Sequence, residues 1–294
     1  MRSPVQAKSI THVHLLSVVA SELDARGRDE PLRVLDVGCG DGALLEYFTQ
    51  RLPEFTAQRT DLYGFDVHDH GVQSDGFMAA TLARLTAARQ DIPWGSRISS
   101  IAQTDAWPYD DGSFDVVLSN QVLEHIADHA RLFAETRRVL RDGGYAVHLF
   151  PLKHYIWEDH LKLPLVHRIA YFDLLRTYIR GLSRLGLGKF HEHQRLYHTT
   201  LDEFSEQHAD FMLHYTNYQS YRDFVRLAKD HGLRLSFRYT KEFYLLKLRS
   251  MMGRPPKRRY RRQSALGEWL AFMGLRYASS VTLFLEKRGT FRQK

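Results

Sequence analysis

The chain has 294 residues, 44% hydrophobic and 26% charged, the balance of a folded protein with room for one large α/β domain or two small ones. A single cysteine, Cys39, excludes an intrachain disulfide and points to a reducing compartment. The net charge of +7 is lopsided: from Lys241 onward fourteen Lys and Arg face three Asp and Glu, a local +11 that leaves −4 on the first 240 residues, so the basicity marks one surface and not the core.

In chain order, residues 10–27 read as a helix. The apolar stretch Val13 to Ala20 behind Arg2 and Lys8 has some features of a secretory signal, but His12, His14 and Ser17 interrupt it and no cleavage site follows, so an amphipathic helix is expected instead. "LRVLDVG" is a short buried strand closed by Gly38. "ALLEYFTQRL" has helical spacing, "DLYGFDV" is a second strand, "GFMAATLARLTAAR" a second helix of the core, "RISSIAQ" a third strand and "FDVVLSN" a fourth. "DHARLFAETRRVLR" carries Leu132, Phe133, Thr136, Val139 and Leu140 on one face and is expected to stop at "DGG". "YAVHLF" is a fifth strand. The alternation predicts a parallel sheet with helices on both faces and ligands at the strands' carboxyl ends.

After Pro151 the pattern changes. Residues 152–217 hold short helical stretches with many aromatics and histidines and no clear strand. "YRDFVRLAKDHG" is an amphipathic helix, while "LRLSFRY" and "SVTLFLEKR" read as two further strands. Between those strands lie "RPPKRRYRR", expected to be an exposed loop, and an apolar helix near 265–278. Glu268 and Arg276 in that helix each cost roughly 2.5–3.5 kcal/mol at a bilayer centre, which argues against a membrane span. There is no internal repeat.

"VLDVGCGDG", residues 34–42, follows the first strand. Taken alone, "GCGDGA" fits the G-x-G-x-x-G/A turn that lets a backbone approach a ligand closely, and both dinucleotides and S-adenosylmethionine (SAM) need such a turn. Asp36, two residues before Gly38, discriminates. An acid at a strand end suits a cationic amino group and suits an anionic pyrophosphate badly; SAM carries an ammonium and a sulfonium and no phosphate. An NAD-dependent oxidoreductase stays open only through the glycine match.

Four stretches in order, "VLDVGCGDG", "GFDVHD", "AQTDAWPYDDGSFDVVLSNQVLEHI" and "VLRDGGYAVHLFP", resemble the motifs of class I SAM-dependent methyltransferases, in particular the branch related to ubiquinone and menaquinone methyltransferases. They span about residues 33–151. The resemblance implies a Rossmann-like doubly wound α/β sheet of about seven strands, with a helical lid inserted after strand five. It also implies cofactor roles: Asp36, Gly38 and Gly40 for the methionine part, Asp66 for the ribose hydroxyls, Asp105 and Ala106 for the adenine, and Asn120 and Gln121 beside the activated methyl. Turn and cap chemistry is the alternative role for these acids.

Methyl transfer is an in-line displacement with a neutral leaving group, so positioning supplies most of the acceleration, and an oxygen acceptor also needs a general base, for which histidine is suited. His125, His154 and His160, with Glu158 and Asp159, lie where such a base belongs; His125, in "VLEHI", reads as structural or as cofactor-pocket lining, and His154 and His160 are the candidates. "EDH" at 158–160 and "HEH" at 191–193 lack the spacing of a metal site, and no metal is expected. "SNQV" after the fourth strand disfavours the DNA-adenine and protein-amide classes, which carry an N-P-P-Y type motif there.

One domain is expected, with a SAM-binding core at 28–151, a lid at 152–217 and a C-terminal part at 218–294 bearing a basic loop at 249–263. Tyr155, Trp157, Tyr171, Phe172 and Tyr178 suit either a stacked sugar or ring, or the lid's own core. The expected function is O-methylation of a small molecule, a sugar or a lipid-linked glycan. The alternatives are an RNA methyltransferase using the basic tail and a non-catalytic SAM-binding partner protein. The basic region is a solvated loop or a peripheral contact with an anionic membrane, ahead of nucleic acid, and the expected location is cytoplasmic or membrane-peripheral.

Overall fold

The computed structural model describes residues 9–23, 30–71 and 76–287. Its main sheet has seven strands: β1 (Leu32–Val37), β2 (Thr60–Val67), β3 (Ile98–Ile101), β4 (Phe114–Asn120), β5 (Leu140–Phe150), β8 (Leu233–Ser236) and β9 (Val281–Lys287). Their order is β3-β2-β1-β4-β5-β9-β8. The first five strands pair in parallel, but β9 runs antiparallel to both β5 and β8, so the sheet is mixed rather than wholly parallel. The order reverses between β1 and β4. That reversal opens a crevice at their carboxyl ends, which is where ligands bind in open α/β sheets.

Alternation along the strands sorts the core into two layers. Val34, Leu62, Val116, Leu118 and Val147 pack with α1 (Ile10–Leu23), α2 (Ala43–Arg51), α3 (Phe77–Ala88) and α9 (Thr240–Met251). Leu35, Val117, Ala146, Leu283 and Leu285 pack with α4 (His129–Val139), α8 (Tyr221–Asp230) and α10 (Ala265–Leu275). The helix α1 is not amphipathic as expected: nearly every position from His12 to Ala20 is buried, and its His14 and Ser17 are satisfied internally. His14 hydrogen-bonds Tyr260 at 3.1 Å and Thr282 at 2.8 Å, and Ser17 donates to the Lys257 carbonyl. The expected continuation to residue 27 lies outside the described residues.

Three boundaries differ from the pattern in the sequence. The helix α4 ends at Val139, and "DGG" lies inside β5, in a register shift opposite Asp115. A Cβ on Gly144 would sit 2.9 Å from the Arg141 carbonyl oxygen, so these glycines make a bulge rather than a helix stop. The strand at "LRLSFRY" ends at Ser236; Tyr239 turns left-handed at φ 70° and starts α9, a helix that the sequence pattern did not reveal.

The lid has a core of its own, in which Leu161, Leu163, Val166, Leu175, Ile179, Phe190, Phe204 and Met212 are buried together. It contains a two-strand ribbon, β6 (Trp157–Glu158) against β7 (Leu163–Pro164), and the helices α5 (Phe172–Arg184), α6 (Phe190–Tyr197) and α7 (Leu201–His214). A Thr200–Glu203 capping box starts α7. Asn217 fastens the lid's end to the core: its amide N–H donates to the Glu124 carbonyl, and its side chain donates to the carbonyls of Ile126 and Ala127.

Candidate active site

Beyond β1, the chain turns on three left-handed glycines, Gly38 (φ 69°), Gly40 (φ 51°) and Gly42 (φ 73°), before α2 begins. The left-handed region costs an L-residue about 1–2 kcal/mol. At Gly38 there is also no room, since a Cβ would lie 2.7 Å from the Val122 side chain. Asp66, at the end of β2, reaches across and accepts from the Gly40 N–H at 2.7 Å and from the Val67 N–H at 2.8 Å. The glycine turn and the β2 carboxylate are thus one hydrogen-bonded unit.

That unit forms one wall of a cleft of about 390 Å³, within the roughly 300–1,000 Å³ of small-molecule sites. Gly38, Asp66, Asp105, Asn120 and Gln121 all line it, as do His70 and His125. Asp36, Gly40 and Ala106 do not: Asp36 is buried behind the surface, Gly40 is tied to Asp66, and Ala106 is exposed in the adjoining turn, which Asp105 caps by accepting from the Ala102 N–H at 2.9 Å. Gln121 holds a left-handed φ of 56° with its N–H on the Leu149 carbonyl, backbone strain of the kind that collects at functional sites.

Two polar atoms at this end are buried without a partner among the described residues: Asp36 Oδ1 and Asn120 Oδ1. Asp36 is 2% exposed, and burial, reinforced by the neighbouring charge of Asp66, pushes its carboxyl well above the usual carboxylate range. The neighbouring buried carboxyls of Asp36 and Asp66 disfavour a further anion and favour a cation that also donates a hydrogen bond to the open Asp36 Oδ1. This acidic end therefore fits an aminoacyl sulfonium and fits a pyrophosphate badly.

The lid contributes none of the residues that line the cleft, His160 included; it packs behind His125. Glu158, on the ribbon, is 1% exposed and has every side of its carboxylate occupied: His160 Nδ1 and the Tyr218 hydroxyl (2.9 Å) meet Oε1, and the Leu161 N–H donates to Oε2 at 2.7 Å. The His160 ring lies 5.0 Å from the ring of His125, which lines the cleft. Burial pulls the His160 imidazole down, but the Glu158 hydrogen bond and the charges of Glu158, Glu124 and Asp159 outweigh it and leave it above the usual histidine value. Burial lowers His125 to about 4, against the pull of its bond to the Tyr215 carbonyl. A carbonyl only accepts, so that bond puts the His125 proton on Nδ1 and its lone pair on Nε2. Glu124, buried beside them, is raised by burial to about 8.

A family model described as "Methyltransferase domain" matches residues 12–236. The chain belongs to this methyltransferase family. The methyltransferase is 34% identical over 122 residues to a malonyl-[acyl-carrier protein] O-methyltransferase of Geobacter sulfurreducens, covering 41% of this chain and 39% of that protein. It is 33% identical over 176 residues to a phthiotriol/phenolphthiotriol dimycocerosates methyltransferase of Mycobacterium tuberculosis, covering 58% and 57%. The chain thus spans about two-fifths to three-fifths of these relatives' lengths. Among solved structures, the Bacillus YcgJ protein aligns over 94% of this chain and 98% of its own, at 16% identity and a TM-score of 0.46. The family match places the chain among methyltransferases; neither of these two relatives bears a quinone in its name.

Not every residue singled out in the methyltransferase sequence joins the cleft. His154 does not: its ring packs 5.7 Å from Tyr221 and 6.0 Å from Tyr277, on the side of α8 and α10. Of the lid aromatics, Tyr155 is buried, Phe172 and Tyr178 pack on the lid core, and Trp157 and Tyr171 face outward; none lines the cleft. Glu124, Tyr218 and Asn217 were not singled out in the sequence. Nothing local marks them, because their partners lie as much as 91 residues away. Among the described residues no group of three or more His, Cys, Asp or Glu is placed to hold a metal, and no helix is long and apolar enough to cross a membrane. The basic loop is exposed but stitched down, with Tyr260 buried, Arg258 on Glu54, Arg259 on the Phe55 carbonyl and Arg262 on Glu22.

Proposed function

We propose that the methyltransferase acts on a hydroxyl oxygen of a small molecule, sugar or lipid-linked glycan, with His160 as general base and Glu158 as its positioning residue. The observation that carries this reading is the Glu158–His160 pair, held by the lid against His125 at the edge of the cofactor cleft. Its neighbour His125 is a far weaker base, since burial keeps it neutral down to about pH 4. A base whose pKa lies near the working pH is the effective one, and the Glu158 carboxylate raises His160 toward that range.

In this reading Asp36 receives the ammonium of SAM, the Gly38–Gly40 backbone lies along its methionine part, and Asp66 accepts from the ribose. Asp105 lies at the adenine end, and Asn120 and Gln121 flank the reacting centre. When bound, SAM supplies an electrophilic methyl on a sulfonium. The chain's residues do the rest. His160, with Nδ1 fixed on Glu158, would take the acceptor's hydroxyl proton on Nε2 as the methyl carbon exchanges its bond to sulfur for one to oxygen and the thioether leaves neutral. Glu158 would keep the ring oriented and stabilise the resulting imidazolium, as an acid does for the histidine of a catalytic triad. The O-methyltransferase named among the relatives is consistent with an oxygen acceptor.

The test is turnover with free sugars and phenols on one side and lipid-linked glycans on the other, in wild type and His160→Asn. Loss of the base lowers kcat by about 10²–10⁴-fold while SAM affinity stays the same, and the variant's rate climbs with pH as the acceptor ionises unaided. Wild-type turnover in His160→Asn would refute the assignment.

A further inference from the structure

The helix α10 is turned inside out for a surface helix. Phe272 and Arg276 face the core at 1% and 9% exposure, while Leu266, Trp269, Leu270 and Tyr277 are 67%, 53%, 57% and 39% exposed. Leu266, Trp269 and Leu270 fall at helical spacing on one face of α10, with Met273 a turn on; no charged side chain interrupts them, and Tyr277 follows just past the helix end. The face continues into the lid. The Ile156 N–H donates to the Tyr277 carbonyl at 3.0 Å, and the next residue, Trp157, is 47% exposed on the back of the ribbon that carries Glu158. A contiguous exposed apolar face of this kind marks an interaction site.

Its charges decide the partner. Arg276 is nine-tenths buried, yet its guanidinium meets the hydroxyls of Tyr277 and Tyr221, the Met273 sulfur and the rings of both tyrosines; among the described residues no carboxylate pairs with it and its Nε has no partner. Around it, Arg168, Arg222 and Lys153 are exposed; burial first, and then these four cations, lower His154, whose Nε2 is unpartnered among the described residues. At the other end of α10, Lys241 and Arg261 are exposed beside Gln263 and the helix start. Buried charge without a counter-charge is costly, and a phosphate headgroup would supply the missing anion at the edge of an apolar face.

We infer that the outer face of α10, the ribbon tip and the Arg276 cation cluster form a docking surface for an anionic phospholipid bilayer. Leu266, Trp269 and Leu270 enter the interface while the flanking cations hold headgroups, as interfacial helices do. Docked in this way, the protein presents the back of the Glu158 ribbon to the membrane, so an amphiphilic acceptor reaches the lid from the lipid side. This last step rests on the functional reading above; the docking does not.

Flotation of the full chain with vesicles of phosphatidylcholine alone, or of phosphatidylcholine with phosphatidylglycerol, tests the inference. Wild type is expected to bind the anionic vesicles about tenfold or more tightly than the neutral ones. Leu266→Glu/Leu270→Glu, which alters only exposed positions, abolishes flotation, and Arg222→Glu/Lys153→Glu removes the preference for anionic lipid. Failure of wild type to float, equal binding to both vesicles, or a wild-type dimer that Leu266→Glu/Leu270→Glu converts to monomer would overturn it, the last by making the face a self-association surface. SAM affinity measured on the same samples separates the two claims: its loss sinks the cofactor reading and leaves the docking standing.

Discussion

At the cofactor end, the Oδ1 atoms of Asp36 and Asn120 are buried with open lone pairs; in the lid, behind His125, Glu158 is as buried as Asp36 with each oxygen engaged by a donor. The contrast separates two tasks. A region that binds leaves its polar groups waiting for the ligand and accepts a less stable empty state. A region that orients a proton carrier saturates its groups so that one rotamer persists. Both regions use left-handed backbone, Gly38, Gly40, Gly42 and Gln121 on one side and Lys162 and Leu165 in the lid ribbon on the other, and both are tied by side-chain bonds between chain segments, Asp66 to Gly40 and Tyr218 to Glu158.

Mutations that confuse these tasks should break the contrast. The largest stability loss is expected at Gly38→Ala, about 2–4 kcal/mol by denaturant unfolding, because a left-handed φ adds to the collision with Val122, a side chain with little rotamer freedom. An unchanged midpoint would mean that the turn relaxes freely. Glu158→Gln should cost about 2 kcal/mol, less than the roughly 3–5 of a fully buried pair, since the His160 side chain is 32% exposed. Because the His160 pKa is raised, the stability from this pair is fully present below the ordinary histidine value of 6.5 and is lost as pH rises through the raised value. The difference between wild type and Glu158→Gln should therefore narrow in alkaline buffer, and a gap that widens there would contradict the pairing.

Asp36→Asn goes the other way. Removing a buried charge with no partner should stabilise the empty protein by about 1 kcal/mol, read as a rise in Tm; a fall would show that the charge already has its counterpart. The last effect is a slope rather than a step. Burial raises Glu124 from 4.5 to about 8, so the unfolded chain ionises it first and the carboxyl increasingly penalises the fold between those values. Relative to wild type, Glu124→Gln should gain up to about 1.4 kcal/mol per pH unit across that window, and a flat difference would place Glu124 in a wetter site.

Local chemistry made the cofactor wall readable. Asp36, Gly38 and Gly40 lie within five residues, and the turn that needs left-handed glycines also advertises them. The lid was readable only by residue type. His160 was a candidate because histidine suits the task, but its position depends on Glu158 being locked by Tyr218, 60 residues away. His154, as near in sequence, turns toward Tyr221 and Tyr277 instead. The helix α9 was hidden because its buried positions include Thr240 and Glu242 beside Phe243 and Leu246, which blurs the apolar stripe. The bulge at "DGG" was hidden because glycines after a helix stop it far more often than they kink the next strand.

The division between a binding region and a proton-handling region is tested most directly by titrating SAM and S-adenosylhomocysteine into wild type, Asp36→Asn and His160→Asn by calorimetry at neutral pH. The account predicts that wild type and His160→Asn bind both with the same affinity, and that Asp36→Asn loses about tenfold or more for each, roughly 1.4 kcal/mol. Wild-type affinity in Asp36→Asn together with weakened binding in His160→Asn would contradict it.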